Sequence, residues 1–192
     1  MQILRAQDYR RMPWKNGGGE TAEIAVFPPG AGLDSFDWRI SMATVATDGP
    51  FSAFPGIDRT LTILSGRGIV LDTEGKASVS LTRTSPPHAF AADLPSFAVL
   101  LDGTVIDLNV MTRRVSASHR VERMALPLDL APSCSRRALF CVTGQVWLAD
   151  GTTRTKLETW DCVLLDGDDD AVSFDGSGSV LLVTIDELAA RP

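Results

Sequence analysis

The sequence predicts an all-β protein built as two jelly-roll-like barrels. Three observations predict it. Short apolar runs of strand length follow one another with turn residues between them. One strand-turn-strand plan occurs twice along the chain. Helical periodicity is almost absent, being suggested only by the closing DELAAR segment.

The strand-length runs are FDWRISMATV (36–45), TLTILSGRGIVLD (60–72), SFAVLLDG (96–103), TVIDLNVMTRR (104–114), ALFCVTGQVWLADG (138–151), DCVLLDGD (161–168) and GSVLLVTIDEL (178–188). They are rich in Val, Ile, Thr and aromatics and are punctuated by Gly, Pro, Asp and Ser, the pattern of sandwiches and barrels. RVERMALPL (120–128) is compatible with a strand or a helical turn. The repeat sets LTILSGRGIVLD (61–72) on LFCVTGQVWLAD (139–150), with Gly66 falling on Gly144. LDGTVIDLNV (101–110) then falls on FDGSGSVLLVTI (174–185), after a short gap. The polar, proline-bearing stretch across 114–136 separates the copies, giving halves at 1–114 and 115–192.

Composition narrows the function. With 192 residues, 44% hydrophobic and 22% charged, the chain can bury a substantial core. A net charge of -6 offers no basic surface to nucleic acid or an anionic membrane. There is no apolar leader and no run long enough to span a bilayer, so the expected location is cytoplasmic. The three cysteines, Cys134, Cys141 and Cys162, form neither a disulfide framework nor a CxxC metal motif. The run Asp168-Asp169-Asp170 reads as a solvated turn rather than a calcium loop, which needs alternating, converging oxygens.

Small barrels with this turn spacing include the cupins, whose catalytic members hold a metal on histidines and a glutamate. Here the two histidines, His88 and His119, stand at unrelated positions with no HxH spacing. The expectation is no metal and no cofactor, and no His-based acid-base machinery.

Four segments carry a more specific signal: YRRMPWKNGGGETAEIA (9–25), FDWRISMATV (36–45), DGPFSAFPGIDR (48–59) and DLNVMTRR (107–114). Together they closely resemble the HutD/Ves family. That resemblance implies a bicupin fold of the RmlC-like type without a catalytic metal. It also implies, for some members, a link to histidine utilisation as a regulator sensing a pathway intermediate, with formylglutamate and urocanate as the suggested ligand types. Other members lie outside such a pathway.

The residues themselves can be read for a pocket. In 104–113, Ile106, Leu108 and Val110 share one strand face, and Asp107, Asn109, Met111 and Arg113 the other. The polar face is either solvated or a pocket wall, and the resemblance favours the wall. In 36–45, Arg39, Ser41 and Ala43 lie opposite Phe36, Trp38, Ile40 and Met42, so Arg39 either grips a carboxylate against a packed wall or stands exposed on the outer face. Arg59 follows a defined, turn-rich loop, where it can meet a ligand or pair with Asp58 or another carboxylate, and the resemblance makes it the best single anion-binding candidate. In Trp14-Lys15-Asn16-Gly17-Gly18-Gly19, backbone N–H groups can converge on an anion beside a cation and an amide. The same glycines also suit a tight structural crossing. Phe51, Phe54 and Trp38 read as core aromatics, one of which could floor the pocket.

The candidate ligand set is therefore Trp14, Lys15, Asn16, Gly17, Gly18, Arg39, Ser41, Arg59, Asp107, Asn109 and Arg113, and the expected partner is a small acidic metabolite. No catalytic base is evident, and the reading leans away from an enzyme. The alternative is a metal-independent isomerase, hydrolase or lyase using Glu20, Glu23 or Asp107 as base. Strand edges offer a route to a homodimer without requiring one.

Overall fold

The computed structural model describes every residue except Asn16, Thr152, Asp168 and 189–192. In chain order the strands are β1 (Gln2–Leu4), β2 (Arg10–Pro13), β3 (Gly19–Phe27), β4 (Trp38–Val45), β5 (Gly49–Pro50), β6 (Ile57–Ser65), β7 (Ile69–Thr73), β8 (Val79–Leu81) and β9 (His88–Ala91). They continue with β10 (Ser96–Leu100), β11 (Val105–Arg113), β12 (Ala117–Ala125), β13 (Leu128–Leu130), β14 (Arg136–Asp150), β15 (Thr153–Leu157), β16 (Cys162–Leu165) and β17 (Val172–Glu187). The only helical element among the described residues is one 3-10 turn, Ala6–Asp8. No helix among them is long and apolar enough to cross a membrane.

The chain divides into two compact units. The first comprises Arg10–Ser118, joined by Leu188. It holds a six-stranded sheet of order β2-β3-β4-β11-β6-β9 and a four-stranded sheet of order β5-β10-β7-β8. The second comprises Met1–Tyr9 with His119–Glu187 and is organised around one sheet in which β14 and β17 pair along most of their length.

A division at residue 114 thus misses the N-terminal nine residues. The physical reason is strand pairing: β1 runs antiparallel to β16, with Gln2 opposite Leu164 and Leu4 opposite Cys162. Buried Asp161 secures the segment, accepting hydrogen bonds from Arg5 Nη1 at 2.6 Å and from the Ala6 amide at 2.9 Å.

The helical expectation for DELAAR fails over its described part. Asp186 and Glu187 belong to β17, whose ladder with β14 runs from Ile185 opposite Arg136 to Ser173 opposite Ala149. A long tertiary ladder overrides weak local helix propensity. The 120–128 segment resolves as strand through Ala125, and His88 begins β9 instead of lying in a loop. Of the Asp run, Asp168 lies outside the described residues, while Asp169 accepts the Met1 ammonium at 2.5 Å.

The repeated glycine has a structural cause. Gly66 (φ +90°), just after β6, and Gly144 (φ +93°), within β14, both lie against a partner backbone. A Cβ at Gly66 would stand 2.5 Å from the Thr104 carbonyl oxygen, and one at Gly144 2.0 Å from that of Ser177. Only glycine fits both the conformation and the space.

Within the first unit, the inward side of β6 reads Ile57, Arg59, Leu61, Ile63. Ile57 packs in a cluster with Phe36, Ala92 and Met111. Leu61 and Ile63 pack in another with Ile69, Leu71, Leu81, Ala98 and Val105. Arg59 stands between the two clusters on the same face.

Candidate functional site

Alternation along the central strands of the six-stranded sheet builds the site. Arg39, Ser41, Ala43 and Val45 from β4, Arg59 from β6, and Asp107, Asn109 and Met111 from β11 line one cavity of about 470 Å³. Cross-strand register explains the grouping: Met111 lies opposite both Arg39 and Arg59, and Asn109 opposite Ser41. Met12, Pro13, Trp14 and Lys15 contribute from the β2–β3 hairpin, and Pro50, Phe51, Ser52 and Phe54 from the segment before β6. The wall is mainly apolar with a few placed polar groups, as small-molecule sites usually are.

Both guanidiniums are buried, Arg39 at 6% and Arg59 at 8% exposure. Arg39 Nε donates to Glu23 Oε2 at 2.8 Å, and its Nη1 makes a long 3.4 Å contact to Ser41 Oγ. Arg59 donates from Nε (2.8 Å) and Nη2 (2.5 Å) to Asn109 Oδ1, and its plane lies over Phe51, 4.4 Å from the ring centroid. Asn109 Nδ2 in turn donates to Asp107 Oδ1 at 2.5 Å. The amide thus joins a cation to an anion, using its carbonyl on one side and its NH₂ on the other. Asp107 Oδ2 is sealed from solvent and has no hydrogen-bond partner.

Burial dominates the electrostatics. It pushes the Asp107 carboxyl up from 3.8 to about 6, against the opposing pull of Arg59 and the Asn109 hydrogen bond. It brings Arg59 down to about 10; Asp107 counters that shift, and Arg39 adds to it by like-charge repulsion. The two arginines therefore feel each other, an arrangement that an anion placed among them would relieve.

Seven of the eleven residues singled out from sequence meet at this cavity: Trp14, Lys15, Arg39, Ser41, Arg59, Asp107 and Asn109. Asn16 lies outside the described residues. Gly17 and Gly18 do not line the cavity. Gly18 instead accepts a hydrogen bond from the Ala46 amide at 2.9 Å, and the Gly19 position is tight, since a Cβ there would meet the Thr44 carbonyl at 2.0 Å. The glycine run thus acts as a chain crossing at the end of a hairpin, with Trp14 Nε1 fastened to Thr21 Oγ1 at 2.8 Å.

Arg113 also falls outside the cavity. It shares the strand parity of Asp107, Asn109 and Met111, but its guanidinium lies over the Phe36 ring, 5.8 Å from the centroid. Its guanidinium instead donates to the carbonyls of Phe36 (3.0 Å) and Asp34 (3.1 Å), fixing the loop ahead of β4.

The apolar half of the site was less visible in the sequence. Met111 could have been found from its parity with Asp107 and Asn109. Phe51 and Phe54 read as core, yet both line the cavity, Phe51 beneath Arg59. Leu33, more than half exposed on the β3–β4 connection, gave no signal.

The cavity does not fit a cupin metal. Its polar lining is dominated by N–H donors from Arg, Lys and Asn, which repel a cation, with Asp107 as its one carboxylate. His88 lies on β9 and stacks on Phe90, His119 lies on β12 in the other unit, and neither lines it. Among the described residues no group of three or more His, Cys, Asp or Glu is placed to hold a metal ion.

Comparison with known proteins bears on the same arrangement. The family model described as HutD matches residues 6–182. An uncharacterized 21.2 kDa protein in the hutC 3′ region of Pseudomonas putida is 35% identical over 186 residues, covering 96% of this chain and 97% of that protein. Protein Ves of Citrobacter koseri is 43% identical over 118 residues, 59% of this chain and 60% of its own length. Among solved structures, HutD from Pseudomonas fluorescens SBW25, determined in a formate condition, superposes with a TM-score of 0.86 at 30% identity, covering 98% of this chain and 99% of that one. A conserved protein of unknown function from Pseudomonas aeruginosa PAO1 gives 0.85 at 33%, covering 98% of both. YhhW of Escherichia coli, at 0.69 and 11% identity over 99% of both chains, shares the cupin-type fold alone. Taken with the near-complete family match, these likenesses establish that the chain belongs to the HutD family of cupin-type proteins.

Proposed function

We propose that this protein binds a small acidic metabolite in the Arg39–Arg59 cavity and acts as a regulator of histidine utilisation, sensing a formylglutamate- or urocanate-like intermediate. The observation that carries the reading is the pair of buried guanidiniums on one small cavity. Arg39 Nη2 and Arg59 Nη1 make no hydrogen bond to any described residue, which leaves donors for a carboxylate. Membership of the HutD family and the hutC-region relative supply the histidine context.

Titration calorimetry against N-formyl-L-glutamate and urocanate tests the reading. Binding is expected in the micromolar range or tighter, and Arg59→Ala should weaken it by at least tenfold, the loss of a charge-assisted hydrogen bond at a buried site. Absence of binding to either compound, or an Arg59→Ala protein that binds as well as the parent, would overturn it.

A second reading rests on Asp107, a cavity carboxyl raised to about 6 and thus suited to proton transfer near neutrality. A metal-independent isomerase, hydrolase or lyase would convert a small acid on incubation and lose that turnover in Asp107→Asn. No product across a panel of such acids would remove this alternative.

A further inference from the structure

The buried charges around the cavity cancel in pairs. Arg39 is met directly by Glu23 at 2.8 Å. Arg59 is met by Asp107, but only through Asn109, which accepts from the guanidinium and donates to the carboxylate. Lys15 is exposed, so solvent screens its charge. On the remaining packed strands, Glu20 of β3 pairs with Arg11. Asp58 of β6 pairs with Arg114. His88 of β9 is held toward its neutral form by burial, stacked on Phe90. The buried cluster is therefore electrically neutral before any acid arrives.

A carboxylate entering such a cluster leaves at least one negative charge without compensation in a poorly solvated space, a costly state, and a dicarboxylate brings a second. Of the two carboxylates, Glu23 already holds a direct guanidinium bond. Asp107 holds none, and its Oδ2 has no donor at all. From this geometry we propose that the protein takes up a carboxylate ligand together with one proton, and that the proton is placed on Asp107 Oδ2. No covalent bond is made or broken in the ligand. The proton comes from solvent and leaves with the acid.

The carboxyl is prepared for this, since burial already holds it at about 6, and a second anion beside Arg59 moves it further in the same direction. Affinity for acids is then linked to pH. Above the range where free Asp107 titrates, the dissociation constant should rise about tenfold per pH unit, and below it the constant should level off. The inference rests on the acid-binding reading above and assigns that site a proton-coupled mode of binding.

The experiment is calorimetry with N-formyl-L-glutamate and with glutarate, both fully ionised across the range from about pH 6.5 to about pH 8.5. Each is titrated in buffers of different ionisation enthalpy, against the parent protein and Asp107→Asn. The substitution is isosteric, keeps an acceptor for Asn109 and mimics the protonated carboxyl. The parent should take up close to one proton per acid at about pH 8. The variant should take up none, bind with little pH dependence, and at about pH 8 bind on the order of ten- to a hundredfold more tightly than the parent.

Binding by the parent without proton uptake would overturn the coupling and leave the acid-binding reading standing. The buffer comparison on the parent decides this even if the variant folds poorly. Failure of both proteins to bind either acid would overturn the acid-binding reading and the coupling with it.

Discussion

The two units carry related strand plans and opposite interiors. In the first, Arg59 of β6 lies opposite Met111 of β11, and the ladder continues through Asn109 and Asp107. In the second, Arg137 of β14 lies opposite Thr184 of β17, and the ladder continues through Leu182 and Val180. Both arginines are buried to a similar degree, 8% and 7%. Arg59 finds an amide at the next inward position. Arg137 finds leucine, and its Nε and Nη2 have no hydrogen-bond partner. Around Arg137's ladder the inward positions are Leu139, Cys141, Val163, Leu165, Val180 and Leu182, a packed apolar cluster. One barrel plan thus gives a polar cavity or a solid core, depending on two or three inward residues of a single strand.

That comparison can be broken most forcefully at what the units share. Gly66→Ala and Gly144→Ala should each destabilise by roughly 3 kcal/mol or more, because backbone oxygen blocks the new Cβ and the dihedral is left-handed. Urea unfolding of both variants measures this, and a mild effect at one glycine would show that the two positions are not equivalent.

Next in size is the exchange of inward chemistry. Asn109→Leu copies the second unit into the first and strands both Arg59 and Asp107 without a partner. A loss of about 2–4 kcal/mol is expected. The matching change, Arg137→Met, removes a buried guanidinium whose Nε and Nη2 have no hydrogen-bond partner and whose charge only helps to keep Asp169 ionised. It should leave stability unchanged or raise it by about 1 kcal/mol. A large loss at Arg137→Met would mean that the second unit depends on its arginine after all.

The smallest effect is a pH slope. Asp107 has a folded-state value of about 6, above its ordinary 3.8, so the folded protein binds the extra proton between those values. Stability should therefore fall as pH rises from about 4 to about 6, then level off. Asp93, held down to about 2 by its hydrogen bonds to Arg114, acts with the opposite sign in a lower window, stability rising with pH between about 2 and about 4. The difference between parent and Asp107→Asn isolates the slope, which should be absent in the variant.

Much of this was legible in the sequence, for identifiable reasons. The alternation in β4 and β11 is strict, so Arg39 with Ser41, and Asp107 with Asn109, could each be placed on one face of their strand from the sequence. Arg59 stood out through the family motif that contains it, with a Gly/Pro loop leading into it. Alternation gives a face but not where along it the space ends, which is why Arg113 was expected at a pocket that its side chain does not line. Glycines are ambiguous in the same way, since an anion nest and a backbone crossing demand the same residue, and Gly19 shows the crossing. The pairing of β1 with β16 was invisible because a three-residue strand, QIL, carries no trace of its distant partner. The link of Glu23 to Arg39 follows from the pairing of β3 with β4, which sets Glu23 opposite Ser41 and diagonal to Arg39, a register with no sequence mark.

The pairing of β1 with β16 also bears on how the chain can be made and cut. During synthesis, Arg10–Ser118 can close on itself while Gln2–Leu4 waits some 160 residues for Cys162–Leu165 to emerge. A fragment beginning at residue 115 would display β16 as a naked apolar edge, open to any passing strand. Producing the second unit alone therefore calls for Met1–Tyr9 to be grafted back onto it or supplied as a peptide.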